Sequence, residues 1–324
     1  MKTFVAGIAL AACTPPASPH TPSRSRVEYA RHHSDALGVD KTYLVYIPAG
    51  YDDAPTRRWP VFYYLHGQHS PETEWVQLGK LDQAADAMHL GAIVVMPDGD
   101  DGWYIDSPTP IDYAACMKTG AGLRDPDDDR DATCVQHRAY ETYIATELVA
   151  RIDATYRTIA TRDGRAIAGV SMGGYGALSL GLRHADRYAA IASHSGAVSL
   201  LYDGPHPFVP GQVHVATDLA QISGVPARGQ QWTSLLFGTD IALWREHEPA
   251  VLIDAMTSPA PAIYLDSGTE DFLVDDTRFV DEVLTHHHVD HATFFGPGIH
   301  DYAFWTQRLP ASLAFLRDHT SQAR

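Results

Sequence analysis

The most constraining stretch of this sequence is Arg165 to Leu178, Arg-Ala-Ile-Ala-Gly-Val-Ser-Met-Gly-Gly-Tyr-Gly-Ala-Leu. A short apolar run ends at Gly169-Val170, a glycine-rich turn follows, and small residues then continue in a helical stretch, with Ser171 at the hinge. A strand that reverses sharply into a helix with a side chain at its apex has no room for a Cβ two positions to either side. Gly169 and Gly173 meet that need. The pattern Gly169-Val170-Ser171-Met172-Gly173 therefore reads as a nucleophile elbow, which lifts a hydroxyl clear of the sheet and sets a helix N-terminus behind it. The bland alternative is a glycine-rich corner that happens to carry serine. The strand before it and the helix after it favour the elbow.

The remaining apolar runs extend this into an α/β architecture. Tyr43 to Ile47, Val61 to Leu65, Ala92 to Met96, Ala189 to Ala192, Ala262 to Asp266 and Thr293 to Phe295 read as strands, several of them continuously apolar as in strands covered on both faces. Leu81 to Leu90 is helical in pattern. Tyr140, Ile144, Leu148, Ile152 and Tyr156 recur every fourth residue and predict a helix leading into the Ser171 strand. Strands alternating with helices predict a mostly parallel central sheet with helices on both faces. Two segments break the alternation, at about 107–136 and 200–232, and are read as loop insertions near a substrate site. The acidic run Asp125 to Asp131 lies in the first. Ala132 and Arg138 stand where a calcium loop needs glycine and a bidentate glutamate, so it reads as a solvated loop, and no metal site is expected.

Domain organisation follows from the ends inward. Met1-Lys2 precedes an apolar run and then prolines, the form of an export signal over residues 1–12. Leu10-Ala11-Ala12-Cys13 also resembles a lipobox, which would make Cys13 a lipidation site and membrane tether; a plain signal peptide is the alternative. Residues 13–26 form a Pro/Ser/Thr-rich tether, and residues 27–324 a single domain. The expected location is periplasmic, cell-surface or secreted. In such a compartment Cys116 and Cys134 either bridge or remain two free thiols. With 24 Lys and Arg against 40 Asp and Glu, the net charge of −16 disfavours nucleic acid as a partner.

A serine hydroxyl needs a histidine base and a carboxylate that orients it. In a fold of this type the order along the chain is serine, acid, histidine. Downstream of Ser171, the loop after Leu265 carries Asp266, Glu270 and Asp271, and His300 follows the last strand on a glycine-rich loop. Asp271 is favoured as the acid because it falls beyond the strand end, although Glu270 and Asp266 stay open at this point. Among eighteen histidines, His286, His287, His288 and His291 crowd a helix end, and His32 and His33 precede the expected core. Oxyanion donors are expected at the amides of Met172 and Gln68, with Gly67 allowing close approach and His66 packed beneath. Trp103 and Tyr104 are candidates to line a pocket for an aromatic acid.

Several motifs occur together: His66-Gly67, Met96-Pro97-Asp98-Gly99, Gly102-Trp103-Tyr104, the Gly169 to Gly174 elbow, Phe237-Gly238, Gly268-Thr269-Glu270-Asp271, and His300-Asp301-Tyr302 with Trp305. In this order, from about Lys41 to Arg317, they resemble the esterase D or putative esterase family of α/β-hydrolases. That family includes S-formylglutathione hydrolases, feruloyl and acetylxylan esterases and mycolyltransferases of the antigen 85 group. The resemblance implies an α/β-hydrolase fold, Ser171 as nucleophile, Asp271 as acid, His300 as base, Gln68 and Met172 as oxyanion donors, and no cofactor. The cysteine-bearing acidic insertion and the long 200s loop depart from the pattern and leave the substrate open. The expected function is hydrolysis of a carboxylic ester, on a small molecule or on a polysaccharide side chain. The alternatives are acyl transfer to a sugar and an inert binding protein on the same scaffold.

Overall fold

The computed structural model describes residues 23–223 and 227–323. The expected export signal and Cys13 lie outside the described residues, as does most of the tether. Ten strands are described: β1 (Arg26–Ser34), β2 (Val39–Ile47), β3 (Val61–Leu65), β4 (Ile93–Pro97), β5 (Arg165–Val170), β6 (Ala190–His194), β7 (Tyr202–Asp203), β8 (His214–Val215), β9 (Ala262–Gly268) and β10 (His291–Gly296). Eight make one sheet in the order β1-β2-β4-β3-β5-β6-β9-β10, while β7 and β8 form a separate small hairpin. The β1/β2 and β2/β4 pairings are antiparallel and the rest of the sheet is parallel.

Alternation along β3 shows how the sheet is covered. Val61, Tyr63 and Leu65 face one apolar layer with Ile144, Leu178 and Val280. Phe62 and Tyr64 face the other, with Leu81, Leu309 and Leu313. The first layer is built from a helix over residues 140–155, from α3 (Met172–Arg183) and from α4 (Val274–His286); the helix over 140–155 is α2 below. The opposite layer contains α1 (Leu81–Ala87) and α5 (Tyr302–Asp318). Burial on both faces explains why these strands are continuously apolar.

The α2 helix contains a π-helical segment, Tyr143–Leu148. A stripe repeating every four residues drifts about 40° per step around a regular α-helix, because each residue turns roughly 100°. The wider π turn takes up part of that drift, and Tyr140, Ile144, Leu148 and Ile152 all stay buried.

Three expectations change. Strand β1 belongs to the sheet, so His32 does not precede the core: its ring stacks on Tyr143 at 5.8 Å. An edge strand with Arg26, Glu28 and Arg31 among few apolar residues carries a weak strand signal. His291 leaves the helix-end cluster and opens β10, its Nε2 3.0 Å from Asp281. Neither insertion is plain loop. The first holds short helices Tyr113–Thr119 and Arg130–Thr133, whose N-termini are capped by Asp112 and Asp129. The second contains the β7/β8 hairpin and runs into a helix over Ala227–Phe237.

Cys116 and Cys134 are joined in a disulfide across a sequence separation of 18. The buried ammonium of Lys41 ties the same insertion to the sheet, donating to Ala132 O at 3.0 Å and to Asp100 at 2.8 Å. Closing a loop of this size stabilises by about 3 kcal/mol. Cys134→Ser is therefore expected to lower the unfolding free energy by that amount in urea titrations, and an unchanged midpoint would show that the bridge does not constrain the chain.

Candidate active site

The elbow forms as its glycines require. Ser171 sits at φ 55° and ψ −119° between β5 and α3, a conformation costly for a residue with a Cβ. A Cβ on Gly169 would lie 2.2 Å from Gly173 O, and one on Gly173 would lie 2.4 Å from Leu65 O and 2.5 Å from His66 O. Backbone thus packs directly on backbone between the elbow and the end of β3. The Ser171 hydroxyl makes no capping bond to α3 and is left available.

His300 reaches that hydroxyl. Its Nε2 is 3.0 Å from Ser171 Oγ, and its Nδ1 is 2.9 Å and 3.0 Å from the two Asp271 carboxylate oxygens. A carboxylate only accepts, so Nδ1–H donates to Asp271 and Nε2 carries the lone pair that can accept the serine proton. The Asp271 side chain is fully buried and also accepts from Leu273 N at 2.8 Å. Phe272 packs on the imidazole with ring centres 4.6 Å apart, and Trp305 meets it edge-on at 4.9 Å. Neither contact was legible beforehand, although Trp305 stands in one of the motifs named above.

The two rival carboxylates are engaged elsewhere. Glu270 accepts from Gly298 N at 2.7 Å, and that bond holds its carboxyl below the usual range. Asp266 pairs with His194 Nδ1 at 2.9 Å, and His194 Nε2 lies 2.8 Å from Ser312 Oγ. This is a second Ser-His-Asp set, but His194, Asp266 and Ser312 are wholly buried and no substrate can reach them. Burial pushes Glu248 up to about 7 and, with Glu248 and Asp275 nearby, raises Asp276 well above the carboxylate range.

The predicted oxyanion loop lies against the nucleophile. A Cβ on Gly67 would be 3.6 Å from Ser171 Cβ. The amides of Gln68 and Met172 donate to no acceptor among the described residues. Of the pocket candidates, Tyr104 is buried with its hydroxyl donating to His66 O at 2.9 Å, so it props the loop rather than lining an open pocket. Trp103, 7% exposed, packs on Tyr175. Exposed apolar groups beside the triad are instead Phe272, next to Asp271, and Ile299, next to His300 in sequence.

Together the sheet order, the elbow and the Ser171-His300-Asp271 contacts define an α/β-hydrolase fold carrying the constellation of a serine hydrolase. The chain belongs to the Putative esterase family, whose model matches residues 34–316. It is 29% identical over 282 residues to Esterase Rv1288 of Mycobacterium tuberculosis, covering 85% of this chain but only 56% of that protein. It is 26% identical over 247 residues to an S-formylglutathione hydrolase of Paracoccus denitrificans, covering 76% of this chain and 75% of that one. Among solved structures, a ferulic acid esterase superposes with TM-score 0.67 at 22% identity, over 91% of this chain and 98% of the other. An S-formylglutathione hydrolase from Agrobacterium tumefaciens gives TM-score 0.67 at 20% identity, over 94% and 99%.

The far end of α3 is anchored by Glu141 at the start of α2. Its carboxylate accepts from Arg183 Nε at 3.0 Å, from His184 Nε2 at 2.8 Å and from His247 Nε2 at 3.2 Å. Burial alone would raise this carboxyl, but these partners hold it far below the usual 4.5. A depressed folded-state value gives stability that is complete above the unfolded value and lost as pH falls below it. Glu141→Gln is expected to cost about 2 kcal/mol at pH 7. In denaturant titrations at several pH values, the gap to wild type should narrow below pH 4.5; a constant gap would contradict the assignment.

Proposed function

We propose that this protein is an exported serine esterase acting through an acyl-enzyme. Ser171 Oγ attacks the acyl carbonyl while His300 Nε2 takes its proton, and Asp271 holds the ring and stabilises the imidazolium. The amides of Gln68 and Met172 receive the oxyanion. His300 then returns the proton to the leaving alcohol, which departs and leaves the acyl group on Ser171. Water, deprotonated by His300, releases the acid. The observation that carries this reading is the 3.0 Å approach of His300 Nε2 to Ser171 Oγ, with Asp271 2.9 Å from the other ring nitrogen.

The proposed substrate is an oxygen ester of the feruloyl or acetyl kind, on a small molecule or a polysaccharide side chain. The similarity to a ferulic acid esterase favours that class, and so do Phe272 and Ile299, 67% and 55% exposed beside His300, which offer an apolar or aromatic group a surface at the rim. Export is favoured by the apolar run after Met1-Lys2 and by the Cys116–Cys134 bridge, which suits an oxidising compartment. In that compartment a lipid on Cys13 would tether the enzyme to a membrane. Among the described residues no helix is long and apolar enough to cross one.

A fluorophosphonate probe is expected to label Ser171 in the folded protein, and p-nitrophenyl acetate and methyl ferulate to be hydrolysed. Ser171→Ala should abolish labelling and lower kcat by about a millionfold. Asp271→Asn should cost about 10⁴-fold. A folded wild-type protein that neither takes the probe nor turns over any ester of the panel would make the inert-scaffold reading the correct one. Sugar esters formed in the presence of an added sugar would identify a transferase.

A further inference from the structure

A backbone amide stabilises an oxyanion only as well as its peptide plane is held, because the donor must point to where charge develops and must not reorient during the reaction. We infer that His66 is the positioning residue that fixes the Gly67–Gln68 peptide plane; this rests on the reading of Gln68 N–H as an oxyanion donor.

The His66 side chain is buried, and both ring nitrogens are engaged by backbone. Nε2 lies 2.8 Å from Gly99 N, and Nδ1 lies 2.7 Å from Gly67 O. An amide nitrogen can only donate and a carbonyl can only accept, so Nε2 carries the lone pair and Nδ1 carries the proton. The ring is a neutral imidazole that donates to the carbonyl of the very next residue. In a trans peptide the C=O and the following N–H point in opposite directions within one plane. Holding Gly67 O down on the buried imidazole therefore turns Gln68 N–H up and away from it, on the loop that abuts Ser171.

The neighbouring groups are fixed as well. Gly67 N donates to Glu74 Oε2 at 3.1 Å, His66 O accepts from Tyr104 Oη at 2.9 Å, and His69 N donates to Asp101 Oδ1 at 2.8 Å. Of the three consecutive amides at 67, 68 and 69, only that of Gln68 lacks an acceptor among the described residues. A Cβ at 67 would make ordinary contacts of 3.6 Å with Ser171 and Val170, so the approach to Ser171 does not itself demand glycine; but glycine is the residue whose backbone turns most freely, so the plane after it needs an external hold. The His66 imidazole is the only side chain bonded to that plane's carbonyl among the described residues.

Two substitutions separate the two ring nitrogens. Glutamine at this position places an acceptor near Nε2 for Gly99 and leaves Gly67 O without its donor; asparagine places an N–H near Nδ1 and gives up the Gly99 bond. For His66→Gln, kcat on p-nitrophenyl acetate is expected to fall about 10- to 100-fold, somewhat less than the loss of an oxyanion donor outright. KM should stay within about twofold, and the rate of fluorophosphonate labelling and the affinity for a boronic acid transition-state analogue should fall in parallel with kcat. His66→Asn should stay within about fivefold of wild type. A purely structural role would instead lower the melting temperature and the labelled fraction and leave kcat per labelled site unchanged. An unchanged kcat in His66→Gln, or equal losses in both variants, overturns the inference. Long-range ¹H–¹⁵N spectra of the wild-type histidines test it without any variant: the proton of His66 belongs on Nδ1, and a proton on Nε2 overturns it. Failure of the esterase reading itself is separate, since it appears as wild-type protein without labelling or turnover.

Discussion

Everything at this site depends on one backbone-to-backbone contact. Gly173 meets the carbonyls of Leu65 and His66 so closely that no Cβ fits, and Gly169 meets Gly173 O in the same way. That contact brings the elbow after β5 against the end of β3, neighbours in the sheet although about a hundred residues apart in the chain. It thereby sets Ser171 beside Gly67 and brings the N-terminus of α3 and the 66–69 loop together around the Ser171 hydroxyl. A single methyl group at either glycine would push these elements apart, and the hydroxyl and its two flanking amides would no longer share a centre.

Access, rather than residue type, separates the two Ser-His-Asp sets. Asp266, His194 and Ser312 make contacts of similar length to those of Asp271, His300 and Ser171, but their side chains are wholly buried between the sheet and α5. There the imidazole ties β6, β9 and α5 together. At the rim, His300 keeps some exposure, with 17% of its side chain accessible, while Asp271 has none. A buried carboxylate with a partly exposed base holds the ring by a strong charge-assisted bond and still lets substrate reach the other nitrogen.

Much of this was legible in the residues. The continuous apolar runs identified β3, β4 and β5 because strands buried on both faces leave no polar side to alternate with. The elbow was legible because its glycines answer a local steric demand. Strand β1 was not: its charged, half-exposed residues take their conformation from pairing with β2, a contact no local pattern encodes. The role suggested for Tyr104 also changed, because an aromatic residue looks the same in sequence whether its hydroxyl meets a ligand or, as here, the carbonyl of His66.

The sequence by itself determined the elbow and the order of its candidate partners: a serine between two glycines at a strand-to-helix corner is a local demand met by local residues, and an acid and a histidine follow it in order. Among Asp271, Glu270 and Asp266 it favoured Asp271 only from its place beyond the strand end, and it could not say which nitrogen of His66 bears a proton. Those choices were made by tertiary structure, because they depend on which groups from distant strands and loops come within hydrogen-bond reach and which are left facing solvent.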